Sequence, residues 1–370
     1  PATFSLLGSS FATSASPVVV EKIRPYPRKA EKTVFSTIKE LTLTSGPGPG
    51  PLGRQCDVRH NSPAMVFSAG GYTGNLFHDF IDGLVPLFIT VNSVFPDRDF
   101  VPVVPDARNW WVSKYSQVLE AFTNHRIISF ENETSTHCFT SAHVGVISHG
   151  VMTIDPAQIP NSRSFVDFHN LLDKAFTHGP IQSPAHLSSP RKPRLVLVSR
   201  YGKVGRVITN EKKVKRMIED IGFEVIRFRP TKKTSLPEAY KLIKSSHAML
   251  GVHGAALTHS LFLRPGSVLV QVVPVGLDWM AKVCFEKSAK AMGLEYLEYR
   301  IDVEESTLKD KYGKEDMVLK DPVAFRGSEW NFTKMNVYLK EQNLRLDRVR
   351  LRNFMIQAYN KAKEFMHVHG

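Results

Sequence analysis

The most regular hydrophobic pattern lies in the second half of the chain, where short apolar runs alternate with segments of helical spacing. The run 195–199 is almost continuously apolar, as expected for a strand buried on both faces of a parallel sheet. The spacing predicts further strands at 223–228, 248–252, 267–273 and 295–300, with helices at 210–221, 235–246 and 279–292. Strict alternation of strands and helices favours a doubly wound parallel sheet. We therefore predict an α/β domain over 191–330.

The first half of the chain has a weaker form of the same pattern. The spacing predicts strands at 64–68, 100–104, 126–130 and 144–148, with helices at 75–89, 110–122 and 164–176. The segment 180–193 contains four prolines and several serines, a composition typical of an interdomain linker. We therefore predict a first α/β domain over 61–190, linker included.

The two ends of the chain differ from these domains. Residues 1–60 have little periodic signal, and the Gly/Pro stretch at 45–51 fits neither a helix nor a central strand, so we predict an irregular lead-in. Residues 331–370 are rich in Lys, Arg and Leu, and we predict helices that pack back on the first domain. No apolar stretch approaches the roughly 18–20 residues that a membrane-spanning helix needs.

Basic residues outnumber acidic ones, with 48 Lys and Arg against 35 Asp and Glu and a formal charge of +13. Such an excess suggests an acidic ligand, either a nucleic acid or a small anion. No run of five or six basic residues and no aromatic RNA-binding motif occurs, so we predict no nucleic-acid partner. A basic, solvated surface explains the charge equally well when the charge is taken alone.

Three cysteines, Cys56, Cys138 and Cys284, are too few for a disulfide-dense scaffold or a cysteine-rich metal site. One disulfide, such as Cys56–Cys138, and three buried thiols are both compatible with the sequence. Two glycosylation sequons, at Asn132 and Asn331, favour a secretory compartment only slightly.

Three segments combine polar residues with glycines in patterns that suit ligand binding. In 249–259, an apolar strand runs into a glycine turn, and a helix is predicted to begin at Ala255. Small residues such as Gly254 let a ligand approach the backbone, while free N–H groups and the helix dipole favour an anion. His253 and His259 can donate hydrogen bonds to a phosphate or a sugar. A plain strand-to-helix turn is the alternative interpretation.

The second segment, 199–211, is a glycine-containing loop that follows the first strand of the predicted sheet. Its cations are Arg200, Lys203 and Arg206, and Asn210 stands just before the next helix. Guanidinium groups bind diphosphates through charge-assisted, often bidentate hydrogen bonds. A solvated basic loop is the alternative, but the glycine turn of the same sheet favours a diphosphate site.

The third segment, 70–86, leads from two glycines into a predicted helix. Asn75, His78 and Asp82 are spaced three and four apart, so one helix face presents all three. An imidazole beside a carboxylate suits a general base for a hydroxyl group, with Asp82 orienting His78 or acting itself. Asp79 is expected to point elsewhere. A capped helix with an ordinary polar edge is the alternative.

Metal sites are poorly supported by the sequence. Asp97-Arg-Asp99 matches the Asp-x-Asp pattern of a metal–diphosphate site, but it follows Phe95-Pro96 in a turn-like stretch, and we interpret it as a surface loop. No His-Glu-x-x-His segment or paired cysteine ligands occur. No Gly-x-Ser-x-Gly elbow indicates a hydrolase.

The three segments together resemble plant glycosyltransferase family 61. The resemblance rests on Gly-Gly-Tyr-Thr-Gly-Asn-Leu-Phe-His-Asp-Phe at 70–80, on 199–211 and on Gly-Val-His-Gly-Ala-Ala-Leu-Thr-His at 251–259, and it covers about residues 60–370. It implies a GT-B fold, with two Rossmann-like domains facing a central cleft. It also implies an inverting mechanism and a UDP-sugar site that needs no metal or other cofactor. The expected location is the Golgi lumen, in a type II membrane protein whose N-terminal anchor is absent from this sequence.

The resemblance also implies roles for individual residues. His78 and Asp82 are expected to be catalytic. Two further sets are expected to bind the nucleotide-sugar and the substrate, respectively. The first is Arg200, Arg206, Asn210, His253, Gly254 and Ala255, and the second is Tyr72, Asn75 and His259.

By resemblance we expect the transfer of xylose or arabinofuranose from a UDP-sugar to a xylan acceptor in cell-wall synthesis. In this expected single displacement, His78 or Asp82 takes the acceptor proton and UDP leaves against Arg200 and Arg206. A xylosyltransferase of protein N-glycans is the alternative within the enzyme class. A non-catalytic polyanion- or sugar-binding protein is the alternative from another class.

Overall fold

The computed structural model describes residues 3–7, 19–46, 56–131, 133–177, 192–328 and 330–369, and the chain divides into two compact units. The first unit comprises Pro1–Gly150 and Ile154–Arg163, and the second comprises Val151–Thr153 and Ser164–Gly370. Most of the predicted Gly/Pro stretch and of the predicted linker, together with the sequon residue Asn132, lie outside the described residues. Each unit is mixed α/β with a parallel sheet, which confirms the α/β class that the sequence predicts.

The described residues of the first unit form nine strands and four α-helices. The strands are β1 (Thr3–Leu7), β2 (Val19–Ile23), β3 (Leu41–Gly46), β4 (Val58–Arg59), β5 (Ala64–Val66), β6 (Val101–Val104), β7 (Ile128–Ser129), β8 (His137–Cys138) and β9 (Ala142–Val144). The α-helices are α1 (Lys32–Phe35), α2 (Leu76–His78), α3 (Val85–Val94) and α4 (Asn109–Glu120); a π-helix over Asp79–Leu84 joins α2 to α3, and 3-10 helices cover Pro156–Gln158 and Pro160–Ser162. The main sheet is parallel, in the order β7-β6-β5-β9.

The structure differs from the predicted irregular lead-in over 1–60. β1, β3 and β2 form a three-stranded sheet, and Leu41 of β3 is fully buried in a cluster with Ala64 and Val66 of β5. Short strands such as Val19–Ile23 depend on their partner strands, because an isolated strand pair is at best marginally stable in water. Their local sequence therefore carries little signal, although β3 contributes Leu41 to the core of the first unit.

The described residues of the second unit form five strands and nine α-helices. The strands are β10 (Arg194–Val198), β11 (Glu224–Phe228), β12 (Ala248–Val252), β13 (Val268–Val273) and β14 (Glu295–Arg300). The α-helices are α5 (Phe165–Thr177), α6 (Glu211–Ile221), α7 (Leu236–Lys244), α8 (Asp278–Ala281), α9 (Lys287–Ala291), α10 (Met317–Lys320), α11 (Pro322–Arg326), α12 (Phe332–Lys340) and α13 (Arg348–His369). A π-helix covers Lys282–Glu286, and 3-10 helices cover Ala255–Phe262, Val303–Glu305 and Thr307–Asp310.

All five strands of the second unit are parallel, in the order β11-β10-β12-β13-β14. The strands predicted at 248–252 and 295–300 match β12 and β14 residue for residue. Every residue of β12 and β13 is buried. Because both faces of these central strands are covered, their sequences are apolar except for Gln271 of β13, and this is the pattern that identified them.

The boundary between the units differs from the predicted linker at 180–193. Helix α5 belongs to the second unit, where it packs against α9 and the 3-10 helix Ala255–Phe262. His169 Nδ1 of α5 lies 2.9 Å from the carbonyl oxygen of Leu261. A proline-rich composition marks a connection between elements, but it does not show which elements share a core.

The C-terminal helix α13 packs within the second unit, against α6, β13 and β14. Its buried residues recur at spacings of three and four along one face: Leu351, Met355, Ala358, Ala362 and Phe365. This packing differs from the prediction that 331–370 packs back on the first domain. Helical spacing identifies the apolar face of a helix, but it does not show which element covers that face. No helix within the described residues is both long and apolar enough to cross a membrane.

The structure decides between the two cysteine alternatives. Cys56 and Cys138 form a disulfide across a sequence separation of 82 residues. The bond lies beside the pairing of β4 with β8, in which Arg59 is in register with Cys138. The pairing that the sequence left as one possibility is confirmed.

Candidate active site

The strand order of the second unit has a switch point between β10 and β12. The chain leaves β10 to form β11 on one side, and it leaves β12 to form β13 on the other side. In open parallel sheets, ligands bind beyond the carboxyl ends of the strands at such a point, where the connections diverge and leave a crevice. The loop after β10 contains Arg200 and Arg206, and the turn after β12 contains His253 and Gly254. The two segments predicted to bind a diphosphate therefore meet at one edge of the sheet.

Two guanidinium groups lie against the backbone of this turn. Arg206 Nη1 donates a hydrogen bond to the carbonyl oxygen of His253 at 2.8 Å. Arg200 donates from Nε and Nη2 to two carbonyl oxygens of its own loop, at 3.0 and 3.2 Å. A Cβ atom on Gly254 would lie 2.6 Å from Arg200 Nη1 and 3.3 Å from Arg206 Nη1. A side chain at position 254 would therefore displace the guanidinium groups.

Two of the three cations of this loop, Arg200 and Arg206, have no acidic partner in the part of the chain that the structure describes. Among the described residues, neither Arg200 nor Arg206 forms an ion pair, and Arg206 Nε is buried without a hydrogen-bond partner. Burial, followed by the charge of Arg200, lowers the pKa of Arg206 to about 9. The nearby carboxylate of Glu211 is engaged by Arg227 Nε at 2.8 Å and by the Ser199 hydroxyl. Neighbouring like charges that are partly buried require a counter-charge, so this geometry suits an anionic ligand.

The imidazole of His253 is held in one orientation beside these cations. Its residue is only 3% exposed, and His253 Nδ1 lies 2.9 Å from Nε2 of Gln271. The Gln271 side chain is in turn bonded to the Tyr296 hydroxyl at 2.8 Å. Burial, followed by the charges of Arg206 and Arg200, lowers the pKa of His253 to about 3. The imidazole is therefore neutral near pH 7 and adds no further positive charge to the site.

After Gly254 the chain continues as the 3-10 helix Ala255–Phe262, which begins at the predicted residue. The N–H of Leu257 donates to the Gly254 carbonyl oxygen at 2.9 Å. The N–H groups of Ala255 and Ala256 therefore precede the first hydrogen bond of this helix. Such N–H groups add positive potential at a helix start, which suits the predicted backbone role of Ala255.

Two residues predicted to bind ligands have other partners in the structure. Asn210 Nδ2 donates to the Leu346 carbonyl oxygen at 2.8 Å, and Asn210 Oδ1 accepts from the Leu346 N–H at 3.1 Å. His259 is 3% exposed, its Nδ1 lies 2.8 Å from the Ala256 carbonyl oxygen, and its ring packs edge-on against Phe228. Asn210 thus fastens the chain before α13 and His259 packs in the core, and the binding of a ligand by either residue stays a prediction.

The first unit contains a separate polar cluster on the helix that begins at Leu76. This helix continues from α2 through the π-helix into α3, which confirms the predicted helix and extends it to Val94. His78 Nδ1 lies 2.9 Å from Asp82 Oδ2, with the side chains 19% and 6% exposed. The pair lies where the helix widens into the π-helix, a local irregularity that is frequent at functional sites.

Asp82 accepts hydrogen bonds at both carboxylate oxygens. Besides its contact with His78, it accepts from Tyr26 Oη at Oδ2 over 2.9 Å and from Arg28 Nε at Oδ1 over 2.6 Å. A carboxylate occupied on both oxygens by protein donors has little room for a substrate hydroxyl. Asp82 therefore orients His78, and Nε2 of His78 is the ring atom left to act as a base.

Tyr72 and Asn75 lie beside this pair. The rings of Tyr72 and His78 have centroids 4.3 Å apart at an interplanar angle of 36°. Asn75 is the N-cap of α2, where its Oδ1 accepts from the Phe77 N–H at 3.1 Å. The structure thus brings Tyr72, Asn75, His78 and Asp82 together, and the binding of substrate by the first two stays a prediction.

Sequence reasoning missed Tyr26 and Arg28, which lie in the segment predicted to be irregular. Tyr26 is 4% exposed and packs with Val34 and Ile38. The only local signal is the run Arg-Pro-Tyr-Pro-Arg at 24–28, and nothing in it points to a carboxylate more than 50 positions away. The contact becomes visible only when the lead-in is folded onto the sheet.

Asp79 points away from the His78 pair, as predicted. Its Oδ2 accepts from Tyr115 Oη at 2.6 Å, and its Oδ1 accepts from the Gly74 N–H at 2.9 Å. Burial raises the pKa of Asp79 despite these hydrogen bonds. Asp79 therefore links residues 70–74, here called the glycine loop, to α4, and its carboxylate is not available to a substrate.

The Asp-x-Asp segment makes contacts within the first unit. Asp99 accepts hydrogen bonds from Ser62 Oγ and lies against His125 Nε2, both at 2.6 Å. Within the described part of the chain, no group of three His, Cys, Asp or Glu residues is arranged to hold a metal ion. The metal independence of the reaction stays a prediction.

Comparison with known proteins identifies the family. The model of glycosyltransferase family 61 matches residues 74–270, more than half of the chain. The chain belongs to glycosyltransferase family 61. The matched range includes His78, Asp82, both arginines of the loop and the Gly254 turn, so the family 61 signature covers both clusters described above.

Curated relatives resemble this family 61 chain over most of its length. It is 40% identical to xylan glycosyltransferase MUCI21 of Arabidopsis thaliana, over 98% of this chain and 75% of that protein. It is 35% identical to alpha-1,3-arabinosyltransferase XAT3 of Oryza sativa subsp. japonica, over 92% of this chain and 58% of that protein. It is 33% identical to beta-1,2-xylosyltransferase XYXT1 of Oryza sativa subsp. japonica, over 91% of this chain and 71% of that protein. The chain thus spans only part of each of these relatives.

One solved structure is a distant match to the family 61 chain. It is the bacterial iron-containing dodecameric glycosyltransferase TibC from enterotoxigenic E. coli H10407. The two are 12% identical with a TM-score of 0.32, over 72% of this chain and 68% of that one. A similarity this low carries no argument about the fold.

Proposed function

We propose that this family 61 chain transfers a pentose from a UDP-sugar to xylan, adding xylosyl or arabinofuranosyl branches in cell-wall synthesis. The observation that carries the proposal is the pair Arg200 and Arg206 at Gly254. Two cations at a sheet switch point suit a diphosphate when, as here among the described residues, no acidic side chain pairs with them. The relatives supply the sugar and the acceptor, since they are named as xylan, arabinosyl and xylosyl transferases.

We further propose a GT-B architecture, which is built from two Rossmann-like units. Its support is that each unit has a parallel sheet with candidate functional residues after the carboxyl ends of its strands. The cations of the second unit suit the donor diphosphate. The His78–Asp82 pair of the first unit suits the acceptor hydroxyl.

The proposed reaction is a single displacement. His78 Nε2 accepts the proton of the acceptor hydroxyl while the hydroxyl oxygen bonds to the anomeric carbon. The bond from that carbon to the diphosphate oxygen breaks, and its electron pair leaves with UDP, whose charge Arg200 and Arg206 stabilise. Asp82 holds the imidazole and stabilises the imidazolium that forms. Inversion converts UDP-α-xylose into a β-xyloside, or UDP-β-L-arabinofuranose into an α-arabinofuranoside.

The proposal includes no metal ion, because guanidinium and helix N–H groups can supply the positive charge that a divalent cation otherwise supplies. We also propose that the reaction takes place in the Golgi lumen. The disulfide between Cys56 and Cys138 supports an oxidising compartment of this kind.

The test is a nucleotide-release assay with xylohexaose as acceptor. UDP-xylose and UDP-arabinofuranose are offered in parallel, each with and without EDTA. We expect acceptor-dependent UDP release from one of the two donors, unchanged by EDTA. The control is the His78→Ala chain, which should bind UDP but release none in response to the acceptor.

Other outcomes would contradict parts of the proposal. Release that EDTA abolishes would overturn metal independence. A protein that binds UDP but is silent with both donors would contradict xylan as the acceptor, and the same assay with a protein N-glycan acceptor would then test the alternative enzyme. Tight, salt-sensitive binding to arbitrary DNA without UDP binding would favour a polyanion-binding protein.

A further inference from the structure

The first unit has a concave surface apart from the His78 cluster, which consists of Tyr72, His78 and Asp82. A pocket of about 350 Å³ lies after the carboxyl ends of β6 and β7. It is lined by Asp106, Ala107, Arg108, Asn109, Trp110 and Glu131. Its volume falls within the roughly 300–1,000 Å³ of small-molecule sites. The carboxyl edge of a parallel sheet is also where ligands of such folds bind.

Trp110 gives this pocket an aromatic wall. Its residue is 43% exposed, whereas Trp111, the next residue of α4, is 4% exposed. An indole this exposed leaves a large apolar face in contact with water unless a ligand covers it. A sugar ring presents C–H groups on its face and hydroxyl groups around its edge. It can therefore cover an indole face while its hydroxyls remain free for hydrogen bonds.

The polar residues of the pocket suit the hydroxyl groups of such a ring. Among the described residues, the side chains of Arg108 and Asn109 form no hydrogen bond or ion pair, and both are exposed. Glu131 Oε1 accepts from the Asp106 N–H at 2.9 Å and from Lys39 Nζ at 3.1 Å, and these contacts fix the carboxylate at the rim. The pocket thus combines an aromatic face with unengaged donors and a positioned acceptor.

The pocket and the His78 cluster flank the same glycine loop. A Cβ atom on Gly74 would lie 3.6 Å from Trp110 Cη2, and one on Gly70 would lie 2.8 Å from Asp106 Oδ2. Asp106 itself has a φ of +61°, an uncommon conformation for a residue other than glycine. Backbone conformations of this kind cluster at binding and catalytic sites. A polymeric ligand that passes the glycine loop therefore contacts both places.

We propose that this pocket binds one sugar unit of the acceptor chain, away from the reacting hydroxyl, with the ring face on Trp110. The hydroxyl groups of that unit bond to Arg108 and Asn109. The inference rests on the proposed function for the identity of the ligand, a xylan backbone. Contact with a remote unit of the acceptor lets the enzyme prefer a polymer over a single sugar, because the remote contact adds binding energy that a monosaccharide lacks.

The test measures acceptor binding without turnover, by isothermal titration of the full chain with xylohexaose. We expect Trp110→Ala to weaken xylohexaose binding about tenfold or more, as loss of one buried aromatic contact does. Trp110→Phe should keep most of the affinity, because it keeps an aromatic face. The matched control is Trp330→Ala in the second unit, since Trp330 is 49% exposed. UDP affinity should be the same in all four proteins.

The outcomes separate this inference from the proposed function. Equal xylohexaose affinity in the parent chain and Trp110→Ala overturns the inference, even if transfer to xylan is observed. Loss of affinity in Trp330→Ala as well, or no binding by the parent chain, also overturns it. Binding that depends on Trp110 in a chain that transfers no pentose upholds the pocket and contradicts the proposed function. Thermal unfolding of each variant shows whether it is folded.

Discussion

Asp82 and Arg206 are charged side chains at predicted sites, but their surroundings differ in kind. Asp82 has Tyr26, Arg28 and His78 around its two oxygens. Arg206 has a backbone carbonyl and a second cation beside it, and its Nε has no partner. A compensated charge serves to position its neighbours, whereas an uncompensated one attracts a ligand. At the residue scale this contrast supports the proposed orienting role of Asp82 and the proposed anion-binding role of Arg206.

Replacing His78 with alanine should lower kcat for transfer by about 10²–10⁴-fold, the contribution usual for a positioned general base. UDP affinity should not change, because His78 does not belong to the anion site. Asp82→Asn should lower kcat less, since the amide keeps the shape but cannot stabilise an imidazolium. Steady-state kinetics and UDP titration check both. His367→Ala, an exposed position on α13, is the control, and near-normal turnover by His78→Ala would show that the base lies elsewhere.

Replacing Arg206 with alanine should weaken UDP binding by about 10- to 100-fold, because a charge-assisted hydrogen bond to the diphosphate is lost. Arg216→Ala removes an equal charge from an exposed position on α6 and serves as the control. Calorimetric titration with UDP measures both. An unchanged affinity in Arg206→Ala would remove this residue from the nucleotide site.

At the scale of elements, the strand order decides which loops meet. The loops after β10 and β12 are about 50 residues apart in sequence, yet their strands are neighbours in register, with Val198 beside Gly251. Gly254 then turns the chain with a φ of 155° and a ψ of 170°, a region that is essentially restricted to glycine. The turn therefore needs glycine for its backbone as well as for the space beside Arg200.

Replacing Gly254 with alanine should both destabilise the protein and weaken UDP binding. The backbone strain costs about 1–3 kcal/mol, and the new Cβ would lie 2.6 Å from Arg200 Nη1 and push it out of place. Thermal unfolding and UDP titration measure the two effects. Gly313→Ala is the matched control, since nothing lies within 4 Å of its Cβ position. A Gly254→Ala chain that keeps full UDP affinity would contradict the proposed geometry of the turn.

At the scale of the whole molecule, buried neutral histidines link stability to pH. Burial, followed by nearby arginines, lowers the pKa of His253 to about 3 and that of His247 to about 4. Burial also lowers the pKa of His169. The unfolded chain takes up protons on these side chains near pH 6.5, whereas the native chain does so only at lower pH. Their contribution to stability is therefore complete above about pH 6.5 and is lost as the pH falls.

The free energy of unfolding should accordingly decrease between pH 7 and pH 5. Each such histidine adds a slope of at most about 1.4 kcal/mol per pH unit. Urea unfolding at several pH values measures the slope. His247→Gln should reduce it, while His367→Gln, at an exposed position, should leave it unchanged. A stability that stays constant or rises toward pH 5 would contradict neutral burial of these side chains.

Much of the second unit could be predicted from its sequence. The strand β12 was located residue for residue because both of its faces are buried and it is apolar along its whole length. The strand β14 was located equally well although it contains three charged residues, because Gly293 marks the end of the preceding helix. The cationic loop and the glycine turn were located as well, because residue types such as Arg and Gly indicate their chemistry locally. The partners of Asn210 and His259 could not be predicted, since Leu346 and Phe228, which contact them, come from distant parts of the chain.

The sequence by itself therefore determined the alternation of strands and helices, the residue types of the candidate site and the family to which the chain belongs. Only the tertiary structure decided that Tyr26 and Arg28 hold Asp82, that α5 and α13 belong to the second unit, and that Trp110 borders a pocket beside the glycine loop. The physical reason is the range of the interactions. Periodicity and turn chemistry depend on a few neighbouring residues, so they can be recognised in the sequence. Charge compensation and burial depend on partners that only folding brings together.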